Sequence, residues 1–170
     1  MVLLVIKTFL EDNIKKEENS PQIITDIVLR DGKLDMNAKV PTIPSDILIT
    51  SKRPDVVICD RSKKTVDILE LTVPFERNIE NARERKCHKY SSVISALEDN
   101  GYACNFESVE VGSRGVVAHG TAAILSKLTG ARRKSVREVL KVLSMTALKA
   151  SHLIFLQKDN PNFVFDFILN

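Results

Sequence analysis

The chain has 170 residues, 44% of them hydrophobic and 28% charged, the composition of one ordinary globular domain with one sizeable core. This excludes a disordered or low-complexity chain, and the formal net charge of +3 is too small to name a partner. The charge is uneven: residues 1–50 hold six Lys/Arg against eight Asp/Glu, and residues 51–170 hold nineteen against fourteen.

In chain order, the opening Met1–Ile6 reads as a buried strand or the start of a helix. It lacks a basic leader and a small-residue cleavage site, and no apolar run approaches a membrane span, so a soluble chain is expected. A short helix is expected before the polar Lys15–Ser20, then the apolar stretch Ile23–Leu29 and a turn at Asp31-Gly32. From Ile47 the pattern becomes short Val/Ile/Thr-rich segments separated by polar turns, which predicts strands over Ile47–Thr50, Asp55–Cys59 and Thr65–Val73, the last ended by Pro74. Over 77–98 the period changes: Ile79, Ala82, Lys86, Tyr90, Val93 and Leu97 recur every three or four positions, the spacing of one helix face closed by Asn100-Gly101. Tyr102–Val111 returns to a strand, and Gly112, Gly115 and Gly120 mark a loop. Helices over 121–129 and 133–151 follow, divided by Gly130. The turn Asp159–Asn162 leads into an apolar end, Phe163–Leu169. The order predicts an α/β fold with a small mixed sheet flanked by helices. Residues 1–40 form an N-terminal segment packed on the core, 41–152 the main domain, and 153–170 a C-terminal tail.

Cys59, Cys87 and Cys104 make neither an even set nor a CxxC pair, so no disulfide framework or structural zinc is expected. Cys87 and His88 are adjacent, and helical neighbours point about 100° apart, so they are read as non-ligands. A reducing, intracellular setting follows, cytoplasmic or nuclear.

The chemistry gathers beside Arg61–Lys64. If these four residues form a hairpin loop, 60 faces 65, 57 faces 68 and 55 faces 70. Asp55 and Glu70 then stand as cross-strand neighbours at the end of a face otherwise made of Val57, Cys59, Val66 and Ile68. Two carboxylates about 5 Å apart in apolar surroundings repel, and a divalent cation between them relieves this. Mg²⁺, with Mn²⁺ as a substitute, suits hard oxygen ligands completed by water and phosphate. The bland reading has Asp55 capping a turn after Pro54 and Glu70 on an exposed sheet face. Lys86 falls inside the apolar stripe of the helix, aimed at the sheet, where it can pair with the carboxylates or orient an attacking water. Lys89 lies on the border of that stripe. Basic clusters at Lys52-Arg53, Arg83, Arg85 and Lys89, and Arg132-Arg133-Lys134, read as solvated faces or as phosphate contacts.

The combination Arg53-Pro54-Asp55, Glu70-Leu71-Thr72 and Glu84-Arg85-Lys86-x-x-Lys89-Tyr90 resembles the restriction-like endonuclease domain of non-LTR retrotransposons, over roughly residues 40–150. The resemblance implies a PD-(D/E)xK fold with a restriction-endonuclease-like core, a divalent metal on Asp55 and Glu70, and DNA strand cleavage. Position 72 is Thr where the usual pattern has Lys. The retroelement branch supplies that lysine from the following helix, which Lys86 or Lys89 satisfies, and Tyr90 matches a tyrosine after the helical lysines.

Three functions compete on this reading. The first is a Mg²⁺-dependent endodeoxyribonuclease of retrotransposon origin acting on DNA, with Lys86 or Lys89 assisting, away from membranes and compatible with a homo-oligomer. The second is an inactive nucleic-acid-binding remnant of the same fold. The third is a protein-interaction module that presents Leu125, Leu128, Val136, Leu140 and Leu143.

Overall fold

The structure is a computed structural model describing residues 1–14, 20–26, 29–30, 33–34 and 42–159. Helix α1 (Val2–Asn13) buries Val2, Ile6, Phe9 and Leu10, the i, i+4, i+7, i+8 spacing of one face. Four strands, β1 (Gln22–Thr25), β4 (Val56–Asp60), β5 (Thr65–Thr72) and β6 (Ala103–Glu110), form one sheet in the order β1-β4-β5-β6. A separate two-stranded ribbon pairs β2 (Leu29–Arg30) with β3 (Lys33–Leu34). The first three sheet strands are antiparallel, and β5 and β6 are parallel, which makes the sheet mixed. A parallel pair needs a crossover, and α2 (Ile79–Asp99) supplies it after a 3-10 turn at Glu76–Asn78. Two further helices close the chain, α3 (Thr121–Thr129) and α4 (Arg133–Gln157).

Alternation along the strands divides the core in two. Val56, Ile58, Leu69, Val109 and Val111 pack with α1, α3 and α4 on one side. Val57, Cys59, Val66 and Ile68 pack with Tyr90, Val93 and Leu97 of α2 on the other. Both faces of β4 are covered, and all five of its residues are buried.

Ile47–Thr50 is not a strand. The Ile47 and Leu48 amides both donate to the Pro44 carbonyl, at 2.9 and 3.0 Å, closing a turn that drives Ile43 and Ile47 into the α2-side core. The outer edge of β4 is taken by β1, with Gln22 opposite Cys59 and Thr25 opposite Val56. The Asp31-Gly32 turn and the apolar end Phe163–Leu169 lie outside the described residues. Gly130, at φ 65, ends α3 in the left-handed conformation, its amide bonded to the Ser126 carbonyl.

Helix α4 runs six residues beyond the expected end at 151. Its inward face is Val136, Val139, Leu143 and Ala147, after which Leu153, Ile154, Phe155 and Leu156 are exposed. Contrary to the expectation of no such run, α4 is long and apolar enough to cross a membrane by length and composition, with a mean hydropathy of 1.5 over its most apolar stretch. Its buried positions, from Val136 to Ala147, are nevertheless packed against α1 and α3 in the core on that side of the sheet.

Candidate functional site

The hairpin loop at 61–64 is set by Asp60, whose Oδ1 accepts from the Ser62 hydroxyl at 2.6 Å and the Lys63 amide at 3.0 Å. Lys64 follows with φ 50, in the left-handed region. The resulting register pairs Asp60 with Thr65, Val57 with Ile68 and Val56 with Leu69. One step further, Asp55 and Glu70 meet at the end of the ladder on the α2 side.

There the side chains take over the hydrogen bonding. Glu70 Oε1 accepts the Asp55 amide at 3.0 Å, and Asp55 Oδ2 accepts the Leu71 amide at 2.8 Å. Glu70 is completely buried, so the exposed-face reading of it is wrong, while Asp55 keeps 25% of its side-chain surface. The Lys86 ammonium reaches in from α2, bonded to Glu70 Oε2 and 4.0 Å from Asp55 Oδ2. Burial, followed by the neighbouring Glu70, pushes Asp55 up to about 6, against the opposing pull of the Leu71 amide, Lys86 and Lys89.

Lys89 is on the rim. Its Nζ donates to the Tyr90 hydroxyl at 2.8 Å and lies 4.6 Å from the centre of that ring. The Tyr90 hydroxyl donates in turn to the Arg53 carbonyl at 2.9 Å, tying α2 to the chain just before Asp55. Tyr90 is fully buried and stacks on Phe106 at 5.7 Å. Its burial and the nearby Glu70 carboxylate hold its phenol far above the usual range.

The remaining expected contacts separate into two groups. Lys52, Arg83 and Arg85 are exposed around the α2 side, and Arg53 sits 3.7 Å from Asp26. Arg132, Arg133 and Lys134 are exposed at the start of α4, which packs on the opposite side of the sheet. The Ser144 hydroxyl bonds the Gly115 carbonyl at 2.6 Å, level with the loop after β6, so Arg133 lies about 16 Å back along the helix axis. That cluster is not brought to Asp55 and Glu70.

Sequence reading missed a second buried acid. The parallel register sets Ser108 beside Glu70 and Glu110 beside Thr72. Phe106 belongs to the α2-side core, and alternation places Ser108 and Glu110 on that same face. Both are buried, joined by a Ser108 hydroxyl to Glu110 Oε1 hydrogen bond, and Thr72 Oγ1 beside them is buried with no hydrogen-bond partner among the described residues. The available signal was a polar Ser-x-Glu alternating with Val109 and Val111 in an otherwise well-formed strand.

Among the described residues no three His, Cys, Asp or Glu side chains converge as an ion site. Asp55 and Glu70 still fit a hard divalent cation in donor chemistry: four carboxylate oxygens, of which Asp55 Oδ1 takes no hydrogen bond among the described residues, with the balance left to water and substrate oxygens. No protein-family model matches the chain, and no curated protein matches it.

Proposed function

We propose that the chain is a metal-dependent DNA endonuclease of the PD-(D/E)xK type, derived from a retrotransposon, with Asp55 and Glu70 as metal-holding carboxylates. The observation that carries this reading is the Lys86 ammonium between two carboxylates that meet at the end of a hairpin, one buried and one open to solvent. The antiparallel hairpin followed by a helix and a parallel strand agrees with a restriction-endonuclease-like core.

When bound, Mg²⁺ or Mn²⁺ would polarise the phosphodiester and lower the pKa of a water. The protein's own groups do the rest. The Asp55 and Leu71 amides fix one oxygen of each carboxylate and so aim the others. Lys86 balances the buried Glu70 charge until a cation takes that place, and would then present N–H donors where a pentavalent phosphate carries charge. Lys89 at the rim would meet a backbone phosphate.

A metal titration of plasmid nicking tests the proposal. Supercoiled plasmid is expected to relax with Mg²⁺ or Mn²⁺ and to stay intact in chelator. Intact plasmid at every metal concentration, together with salt-dependent binding, would leave the binding-only reading in its place.

A further inference from the structure

The described residues show a second charged feature, at the exit of β5 and belonging to none of the clusters above. Phe75, just after β5, is 47% exposed although it is a large aromatic side chain. Two guanidinium groups lie over its ring, Arg77 at 5.5 Å and Arg114 at 5.1 Å from the centre. Arg114 comes from the loop after β6, distant in sequence, and Glu76 pins it there. The Glu76 carboxylate accepts the Arg114 amide at 2.6 Å and Nε at 2.8 Å. The same carboxylate fills the space a Cβ on Gly112 would need, 2.6 Å from its ideal position, so a side chain at 112 would dislodge the clamp. The Arg114 side chain is nonetheless 66% exposed, and its terminal nitrogens make no hydrogen bond among the described residues. Arg77 makes no hydrogen bond or ion pair there at all.

Aromatic contact alone does not require two arginines at one ring. A bare guanidinium is a flexible point on the surface, whereas one stacked on a ring is pre-organised, with its fork of N–H donors turned outward in the geometry that matches a phosphate. Phe75 lies five residues beyond Glu70 on the same strand exit, and Arg77 about 14 Å before Lys86 along the 3-10 turn and α2. At 3.4 Å of duplex axis per phosphate in one strand, that is the reach of about four nucleotides.

We infer that Arg77 and Arg114, organised on Phe75, grip the phosphate backbone of the nucleic-acid strand that crosses the Asp55–Glu70 site. This rests on the nucleic-acid part of the function proposed above, but not on catalysis. The contact carries charge and register, not base sequence.

Binding of the full chain to a labelled 20-base-pair duplex, followed by anisotropy in chelator across a salt series, tests it without any cleavage. Arg77→Ala removes a side chain that rests on the Phe75 ring and makes no hydrogen bond or ion pair among the described residues. It is expected to weaken binding several-fold and to reduce the slope of log affinity against log salt by about one. Arg77→Ala with Arg114→Ala is expected to reduce it by about two. Phe75→Leu, which keeps both charges but removes the ring, is expected to weaken binding with a smaller change in slope. An Arg77→Ala slope equal to that of the parent, with the parent binding well, overturns this inference and leaves the nuclease reading standing. A parent that does not bind duplex at any salt overturns both. Two competitors complete the test: hexaglutamate or inorganic phosphate displacing the duplex as effectively as unlabelled DNA, at equal charge, would make the feature a general anion site and overturn the strand grip.

Discussion

Asp55 and Glu70 exchange roles at the point where the β4–β5 ladder stops: the Glu70 carboxylate accepts the Asp55 amide, and the Asp55 carboxylate accepts the amide of Leu71, the residue after Glu70. The two acids are thus held by each other's strands, and their remaining oxygens are positioned before any ligand arrives. Such pre-organisation is what an electrostatic site requires, since no reorganisation is then needed during reaction.

The raised Asp55 has a consequence for stability. Its folded value near 6 lies above the ordinary 3.8, so folding favours the protonated form. The associated stability is fully present below about pH 4, declines as pH rises, and is gone above about pH 6. Asp55→Asn keeps an acceptor for the Leu71 amide and removes the charge. It is expected to stabilise the metal-free protein at pH 7 by up to ~3 kcal/mol, at 1.36 kcal/mol per unit, and to have little effect at pH 4. Thermal melts of both proteins from pH 4 to 8 check this, and parallel curves at all pH values would contradict it.

Metal binding should show the same group. A cation on Asp55 competes with its proton, so Mn²⁺ affinity is expected to climb between pH 5 and 6.5 and then level off. Titration calorimetry in two buffers of different ionisation enthalpy would register the released proton, and a pH-independent affinity would place the ion elsewhere.

Lys86 and Lys89 should separate in kinetics. Lys86→Ala leaves the buried Glu70 without its cation. Since Lys86 is 23% exposed, the expected destabilisation is less than the ~3–5 kcal/mol of a fully buried pair. The single-turnover cleavage rate is expected to fall by a large factor with DNA affinity nearly unchanged. Lys89→Ala is expected to do the reverse and to lower the salt slope of binding by about one. Loss of chemistry in Lys89→Ala with retention in Lys86→Ala would reverse the two roles.

Tyr90→Phe isolates the tie between α2 and the strand bearing Asp55. It removes the bond to the Arg53 carbonyl and the acceptor for Lys89; the exposed Lys89 ammonium returns to water, so the expected loss is the ~1 kcal/mol of the Arg53 bond. Denaturant midpoints measure it. A much larger loss would mean that the hydroxyl also supports the Asp55–Glu70 pair.

Local chemistry made the centre of the site legible in the sequence. The Asp60 side chain closes a four-residue loop at 61–64, and that loop alone sets which residues face one another down to Asp55 and Glu70. The apolar stripe of α2 likewise placed Lys86 inward and Lys89 at its border. Long-range pairing was not legible. Ile47–Thr50 has the composition of a strand, but Pro44 closes a turn there and Gln22–Thr25, far away in the chain, takes the sheet edge. The nearness of Ser108 and Glu110 to Glu70 depends on the register of a parallel pair joined through a whole helix, which no short-range rule fixes. The Arg114 clamp depends on a loop closing onto Glu76, for the same reason.

If Asp55 and Glu70 together hold a divalent cation, anomalous scattering from a crystal soaked in Mn²⁺ locates it beside them. The expected result is one ion with an oxygen from each of the two residues at about 2.0–2.3 Å, its other positions filled by water, and the Lys86 ammonium moved off Glu70. A saturating soak with Lys86 still seated between the two carboxylates and no ion beside them would contradict it.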